Sequence, residues 1–236
     1  MAHARLLPFA LATRETDSAK TLELEGSGKL MRVLAHFLKS ASDPGHFPAP
    51  SLPEVAFLGR SNVGKSSVIN ALVGKKLART SSTPGRTRAI NFFEIRRAGQ
   101  PRPELLFTDL PGYGYAKVSR EVSQEWAGFV DPYLRERPTL VLCLALVDVN
   151  VPPQASDRQL LEFLAAIGRL HAIVATKCDR LSGNELARAL RTLGQEYAGV
   201  ATVPFSAKTG AGRDEIWGLI REALSPAPAA ALSRAL

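Results

Sequence analysis

The sequence predicts an α/β protein in which a mostly parallel, six-stranded sheet carries helices on both of its faces. Short apolar runs rich in Val, Ile, Leu and Phe alternate along the chain with amphipathic segments of helical period. The longest apolar run, residues 140–147, is too short to cross a membrane. With 236 residues, the chain is long enough for one domain with a substantial core.

From residue 54 onward the predicted strands and helices alternate regularly. Strands are predicted at 54–58, 89–95, 104–109, 139–148, 171–176 and 200–205, and helices at 66–73, 121–137, 157–170, 183–197 and 212–224. Upstream, Leu30, Val33, Leu34 and Phe37 stand at helical spacing, which predicts a short amphipathic helix over 29–40. The four prolines within 44–53 predict an extended linker.

Composition divides the chain into a loosely ordered extension at 1–28, a folded domain at 29–224 and a Pro/Ala-rich, disordered tail at 225–236. The apolar stretch 6–12 is short, broken by Pro8 and followed by charges, so we expect no secretory signal and a cytoplasmic protein. Cys143 and Cys178 lie in apolar contexts, which indicates buried, reduced thiols and neither a metal site nor a disulfide framework.

Residues 59–66 read Gly-Arg-Ser-Asn-Val-Gly-Lys-Ser, which fits the phosphate-binding pattern G-x-x-x-x-G-K-[ST] between a predicted strand and a predicted helix. The glycines allow a tight turn whose N–H groups surround phosphates, and the helix N-terminus adds a favourable dipole. In this pattern Lys65 reaches the β- and γ-phosphates, and the Ser66 hydroxyl binds Mg²⁺. The loop predicts a nucleoside triphosphate with Mg²⁺ but does not choose the base.

Three further motifs follow in order, each at the end of a predicted strand, where open α/β sheets bind ligands. Residues 109–112 read Asp-Leu-Pro-Gly, in which Asp109 can hold Mg²⁺ through water and the Gly112 N–H can contact the γ-phosphate. Residues 176–179 read Thr-Lys-Cys-Asp. Asp179 offers two acceptors that match the adjacent N1–H and N2–H₂ donors of guanine, whereas the N1 of adenine would repel it. The Lys177 stem can lie along the purine face.

The last motif, Ser-Ala-Lys at 206–208, can offer a backbone N–H to guanine O6. Between the first two strands, the segment 80–88 contains a threonine that we expect to complete the Mg²⁺ shell, with Thr87 preferred and Thr83 as the alternative. A segment held only by γ-phosphate and Mg²⁺ loosens after hydrolysis, which predicts a molecular switch.

With these motifs the sequence resembles the EngB family (also called YihA or YsxC) of the TrmE-Era-EngA-EngB-Septin-like GTPases. The resemblance covers residues 34–222 and rests on 59–67, 83–87, 90–93, 176–179 and 109–116, whose Gly-Tyr-Gly-Tyr-Ala ending is specific to the family. It implies a Ras-like GTPase domain, assembly of the large ribosomal subunit, a role in cell division and septation, and Thr87 as the switch threonine. Asp148-Val149-Asn150 departs from the usual Asp-x-Arg.

Two positions suggest hypotheses about hydrolysis. Tyr113 stands where Ras-type enzymes carry the glutamine that orients the attacking water, so we expect slow intrinsic hydrolysis that needs a partner. Asn62 stands where related GTPases use an asparagine to hold K⁺, which makes K⁺ a second candidate cofactor. Alternatively, Asn62 only orders the loop.

The formal net charge is +8, and residues 71–102, with eight basic residues and one acid, carry +7 of it. We expect this region to dock on RNA of the large ribosomal subunit, a solvated basic surface being the alternative. Neither DNA binding nor a membrane span is expected, and the protein is expected to be monomeric. Other functions considered are a division-linked, nucleotide-dependent binding module that does not act on ribosomes and a metabolic P-loop kinase.

The predicted site thus falls into three sets of residues. Those expected to act in catalysis are Lys65, Thr87 and Gly112, and those expected on the metal are Ser66 and Thr87. Those expected to bind the nucleotide and its Mg²⁺ are Gly59, Arg60, Ser61, Asn62, Val63, Gly64, Lys65, Ser66, Ser67, Gly85, Arg86, Thr87, Asp109, Leu110, Pro111, Gly112, Thr176, Lys177, Asp179, Phe205, Ser206, Ala207 and Lys208.

Overall fold

The computed structural model of this chain describes residues 33–78, 89–113 and 126–225. Its strands are β1 (Val33–Ala41), β2 (Glu54–Gly59), β3 (Ile90–Arg97), β4 (Leu105–Asp109), β5 (Leu140–Asp148), β6 (His171–Thr176) and β7 (Thr202–Pro204). Its α-helices are α1 (Lys65–Val73), α2 (Asp131–Glu136), α3 (Ala155–Ala166), α4 (Gly183–Glu196) and α5 (Arg213–Leu224). A π-helical turn, Trp126–Val130, leads into α2.

All seven strands form one sheet in the order β1-β3-β4-β2-β5-β6-β7. The five strands from β4 to β7 run parallel to one another, whereas β3 is antiparallel to both of its neighbours. The α/β class and the mostly parallel sheet are therefore confirmed. The predicted count of six strands is wrong by one, because β1 adds an edge strand.

The helix predicted over 29–40 is wrong in its described part, where the chain forms β1. The helical spacing misled because a bulge between Phe37 and Lys39 interrupts the two-residue alternation that is typical of a strand. Before the bulge the alternation is clear, since Val33 and Ala35 are buried while Leu34 and His36 are exposed. Pairing with β3 then satisfies the backbone groups of β1 along one side.

The segment 44–53 is packed against the domain and is not the extended linker that its prolines predicted. Asp43 caps a 3₁₀ turn at Pro44–His46, and the Phe47 ring lies 5.6 Å from that of Tyr133. The Pro48 carbonyl accepts a hydrogen bond of 2.7 Å from Arg137, whose guanidinium also pairs with the fully buried Glu54. Tertiary contacts from α2 and β2 therefore hold the segment in place.

The core has two layers, one on each face of the sheet. The first is formed with α1 and α5, through residues such as Leu72, Ile216 and Trp217, and the second with α2, α3 and α4, through residues such as Tyr133 and Leu164. This arrangement confirms helices on both faces and buried, unpaired thiols at Cys143 and Cys178. Among the described residues, no helix is long and apolar enough to span a membrane.

Candidate functional site

The described motifs meet at one edge of the sheet. The strands that precede them, β2, β4, β6 and β7, are parallel members of the sheet, so their carboxyl ends lie side by side. Two hydrogen bonds connect the motifs directly: Thr176 Oγ1 donates to the Val63 carbonyl at 2.8 Å, and Lys177 Nζ donates to the Asn62 carbonyl at 2.9 Å. The strand at 171–176 therefore holds the loop 59–66 from the side.

The loop after β2 turns tightly into helix α1 through residues with left-handed backbone conformations. Asn62 and Gly64 adopt left-handed φ angles of 64° and 110°, and α1 begins at the next residue, Lys65. The Lys65 ammonium lies inside the loop, where it donates to the carbonyls of Gly59 at 2.9 Å and Arg60 at 3.3 Å. Burial lowers the pKa of Lys65, and the negative charge of Asp109 opposes that shift.

Asp109, at the end of β4, is a buried carboxyl with an incomplete set of partners. Its Oδ2 accepts a long hydrogen bond of 3.5 Å from Ser66 Oγ, and its Oδ1 is buried with no hydrogen-bond partner among the described residues. Burial raises the pKa of Asp109 to about 6, an effect that the Lys65 charge and the Ser66 hydroxyl reduce. An orphaned carboxylate oxygen beside a hydroxyl is a donor set that fits a hard divalent cation such as Mg²⁺.

Gly112 lies so close to the loop that no side chain fits at its position. A Cβ there would stand 2.9 Å from both the amide nitrogen and the Oγ of Ser61, and 3.0 Å from Lys65 Nζ. The next residue is held by the loop as well, because the Ser61 N–H donates to the Tyr113 carbonyl at 3.2 Å. The structure therefore places the Gly112 backbone directly beside Ser61 and Lys65 of the loop.

Asp179 and Ser206 form the far end of the site. Ser206 Oγ donates to Asp179 Oδ1 at 2.6 Å and accepts from the backbone N–H groups of Lys208 and Thr209. The hydrogen bond from Ser206 is the main reason why the pKa of Asp179 lies below its ordinary value. Asp179 is thus kept as a carboxylate, and its position is tied to the loop 206–209.

Asp148 and Asn150 belong to this end of the site, although the sequence analysis assigned no role to either residue. Asp148 Oδ2 accepts from Lys177 Nζ at 2.7 Å, and its Oδ1 accepts from the amide nitrogen and the side chain of Asn150. Burial raises the pKa of Asp148, but the hydrogen bonds from Lys177 and Asn150 outweigh it and lower the pKa. One feature of the sequence could have identified Asp148: it stands at the end of the strand β5, and the other motifs also follow strand ends at this edge of the sheet.

The remaining predicted residues divide by their placement. Leu110 and Phe205 are fully buried supports, and Cys178, between the base motif residues, donates its N–H to the Phe205 carbonyl at 3.2 Å. Ala207 and Lys208 are exposed. Gly85, Arg86 and Thr87 lie outside the described residues, as do Thr83 and the family-specific residues 114–116.

Comparison with known proteins decides the family. The family model described as 50S ribosome-binding GTPase matches residues 54–177. The probable GTP-binding protein EngB of Koribacter versatilis is 58% identical over 202 residues, which are 85% of this chain and all of the relative. This chain belongs to the EngB family. A second EngB, from Acidobacterium capsulatum, is 56% identical over 84% of this chain and 94% of its own length.

EngB membership makes this chain a GTP-binding protein of a GTPase family, which confirms the resemblance inferred from the motifs. A crystal structure of a probable EngB has the same fold, with a TM-score of 0.56, 21% identity and coverage of 72% of this chain and 97% of its own.

Proposed function

We propose that this protein hydrolyses GTP to GDP and phosphate as a Mg²⁺-dependent switch in assembly of the large ribosomal subunit, a step needed for normal cell division and septation. One observation supports the switch most directly: Lys177 donates to the Asn62 carbonyl, so the base motif and the phosphate loop form one connected surface. A nucleotide whose base lies at one motif and whose phosphates lie at the other would therefore contact both parts of this surface at once.

In this proposal each predicted residue has a specific task. Lys65 binds the β- and γ-phosphates, the Gly112 N–H contacts the γ-phosphate, and Asp179 recognises guanine with Lys177 along the base. Ser66 and Thr87 hold Mg²⁺, and Asp109 binds it through water. Bound Mg²⁺ supplies positive charge that offsets the charge developing on the phosphates. The support from this chain is the orphaned Asp109 Oδ1 beside Ser66 and the packing of the Gly112 backbone against the loop that carries Lys65.

Intrinsic hydrolysis is proposed to be slow. The phenol of Tyr113 points to α3, where its hydroxyl donates to Asp157 at 3.0 Å, so in this conformation it does not orient an attacking water. Stimulation is proposed to come from ribosomal particles and from K⁺ near Asn62, whose left-handed backbone exposes its side chain at the loop. We expect hydrolysis to be at least several-fold faster in K⁺ than in Na⁺ of equal concentration, measured as phosphate release. Equal rates would leave Asn62 as a loop-ordering residue.

The ribosome proposal rests on charge, and the structure refines where that charge lies. Asn91 pairs with Asp109, so the β3–β4 hairpin, with Arg97 and Arg102, lies at the end of the sheet away from the phosphate loop. Lys75 and Lys76, just after α1, are exposed and come at the end of that helix remote from the loop. The basic window therefore has a remote group and a group within 79–88 that lies outside the described residues. The remote group consists of Lys75, Lys76, Arg96, Arg97 and Arg102.

Co-sedimentation with purified large ribosomal subunits tests this proposal. We expect binding with a non-hydrolysable GTP analogue, weaker binding with GDP, and a steep decrease with salt, because each phosphate contact releases counterions. Removal of two remote charges in Lys76→Ala/Arg102→Ala is expected to reduce binding about three- to tenfold at fixed salt, equally in both nucleotide states.

The matched control is Arg188→Ala/Arg191→Ala, which also removes two exposed positive charges but from α4, on the opposite layer of the sheet. It is expected to bind as the unaltered protein does. If the two double variants weaken binding equally, only net charge matters and docking through this region is wrong. Absence of binding in either nucleotide state would favour the alternative, a division-linked binding module that does not act on ribosomes.

A further inference from the structure

Tyr113 connects the phosphate loop to helix α3. Its hydroxyl donates to Asp157 Oδ1 at 3.0 Å, and Asp157 lies in the first turn of α3 with only 2% of its surface exposed. The pKa of each side chain lies above its ordinary value because both are buried, and the positive charge of Arg60 only partly opposes this increase. The positive charge of Arg60, from the phosphate loop, therefore acts on this pair as well.

The backbone of Tyr113 is attached to the same loop. The Ser61 N–H donates to the Tyr113 carbonyl, and Arg60 and Tyr113 form a parallel β-bridge. Among the described residues, Tyr113 is therefore held both by its main chain on the phosphate loop and by its hydroxyl on α3. Since a tyrosine side chain has few rotatable bonds, the hydrogen bond to Asp157 restricts the position of the backbone that precedes it.

That preceding residue is Gly112, which presses against the loop. The point where its Cβ would stand is 3.0 Å from Lys65 Nζ, and this ammonium donates to two carbonyls of its own loop. A terminal phosphate that hydrogen-bonds to both Lys65 and the Gly112 N–H has to lie between them. In this conformation the Gly112 backbone packs directly against Ser61 and Lys65, with no room even for a Cβ between them. The turn 110–113 therefore has to move away from the loop before a triphosphate can be held in that way.

We propose that Asp157 is a positioning residue that, through the hydroxyl of Tyr113, holds Gly112 against the phosphate loop and so favours GDP over GTP. The proposal rests on the roles given above to Lys65 and Gly112. GTP binding has to break the Tyr113–Asp157 hydrogen bond, whereas GDP, which lacks the terminal phosphate, leaves it intact. The pair thus reduces the affinity for the triphosphate and sets how readily the switch enters its GTP state.

The test is the ratio of two dissociation constants, that for a non-hydrolysable GTP analogue over that for GDP, measured by titration on the full chain. Tyr113→Phe removes the hydroxyl and keeps the ring, and we expect it to lower the ratio about five- to twentyfold, with the GDP constant unchanged. Asp157→Asn retains an acceptor oxygen for the Tyr113 hydroxyl, so we expect it to lower the ratio of the two dissociation constants by a smaller factor, about two- to fivefold. The double variant should match Tyr113→Phe, because both changes remove the same interaction.

Tyr133→Phe is the matched control. This variant also removes a tyrosine hydroxyl that donates to a carboxylate, here Glu54 Oε2 at 2.7 Å. Tyr133 belongs to the same core layer as Tyr113, but its partner Glu54 lies at the start of β2, the end of that strand remote from the phosphate loop. Tyr133→Phe should lower thermal stability and leave the nucleotide ratio unchanged. An unchanged ratio in Tyr113→Phe, or an equal loss of affinity for both nucleotides, overturns the inference while GTP binding stands. Failure of the unaltered protein to bind GTP would overturn both proposals.

Discussion

Replacement of Asp179 by asparagine is expected to reduce affinity for GTP and GDP about 10²–10⁴-fold, because one charge-assisted hydrogen bond to guanine is lost and the other loses its charge. Asparagine replaces one acceptor with an N–H₂ donor, which faces the guanine N2–H₂ group and repels it. Xanthine carries a carbonyl at that position, so the variant is expected to bind xanthosine triphosphate better than GTP. Ser206 Oγ can still donate to the asparagine carbonyl, which keeps the side chain oriented.

Affinities of fluorescent guanosine and xanthosine nucleotides, measured by anisotropy, check this expectation. Asp214→Asn is the matched control, because it makes the same chemical change on an exposed side chain in the first turn of α5. Adenosine triphosphate is a third nucleotide to measure in the same experiment, and we expect neither the unaltered protein nor Asp179→Asn to bind it tightly. Tight binding of adenosine triphosphate by the unaltered protein would instead support the metabolic kinase and contradict the proposed base recognition.

Removal of the Lys65 ammonium in Lys65→Ala is expected to lower the rate of GTP hydrolysis about 10²–10³-fold, the loss typical of one preorganised charge in a catalytic site. The ammonium already lies inside the loop at 2.9 Å from the Gly59 carbonyl, so it needs little rearrangement to meet a phosphate. The β-phosphate contact is lost as well, so GDP affinity should also decrease, by a smaller factor than GTP affinity.

Single-turnover phosphate release with saturating nucleotide separates the chemical step from binding. Lys76→Ala is the control, since it removes the same charge from an exposed position after the end of α1. Thermal unfolding without nucleotide shows whether the fold survives the loss of the two Lys65 hydrogen bonds. A folded Lys65→Ala protein with an unchanged hydrolysis rate would contradict the role proposed for this lysine.

Much of this molecule could be predicted from local sequence alone. Within the residues that the structure describes, six of the seven strands and all five α-helices follow from apolar runs and helical periods, because burial on both faces of a parallel sheet needs continuous Val, Ile and Leu. The same holds for the motifs at 59–66, 109–112, 176–179 and 206–208. Each of these motifs begins at or just after the carboxyl end of a strand. Parallel strands bring their carboxyl ends to the same edge of the sheet, independently of how the side chains pack.

The two incorrect predictions, the helix over 29–40 and the extended linker over 44–53, concern segments whose structure is decided by contacts with distant parts of the chain. Residues 33–41 form a strand because β3 offers an unpaired edge, and the bulge at Phe37 hid the alternation that would have shown it. The proline-rich segment 44–53 is held by Tyr133 and Arg137, which lie 86 and 89 positions after their partners in that segment and which no local pattern connects to it. Propensity is a weak guide when such contacts oppose it.

The sequence by itself determined the α/β class and the family, and it supplied the candidate residues for guanine-nucleotide binding, since these depend on short patterns with fixed backbone chemistry. Only the tertiary structure showed that Asp148 and Asn150 hold Lys177, and that Asp157 holds Tyr113. Both arrangements join side chains from separate loops and helices. Their hydrogen bonds depend on positions set by packing of the whole sheet, which no run of neighbouring residues encodes.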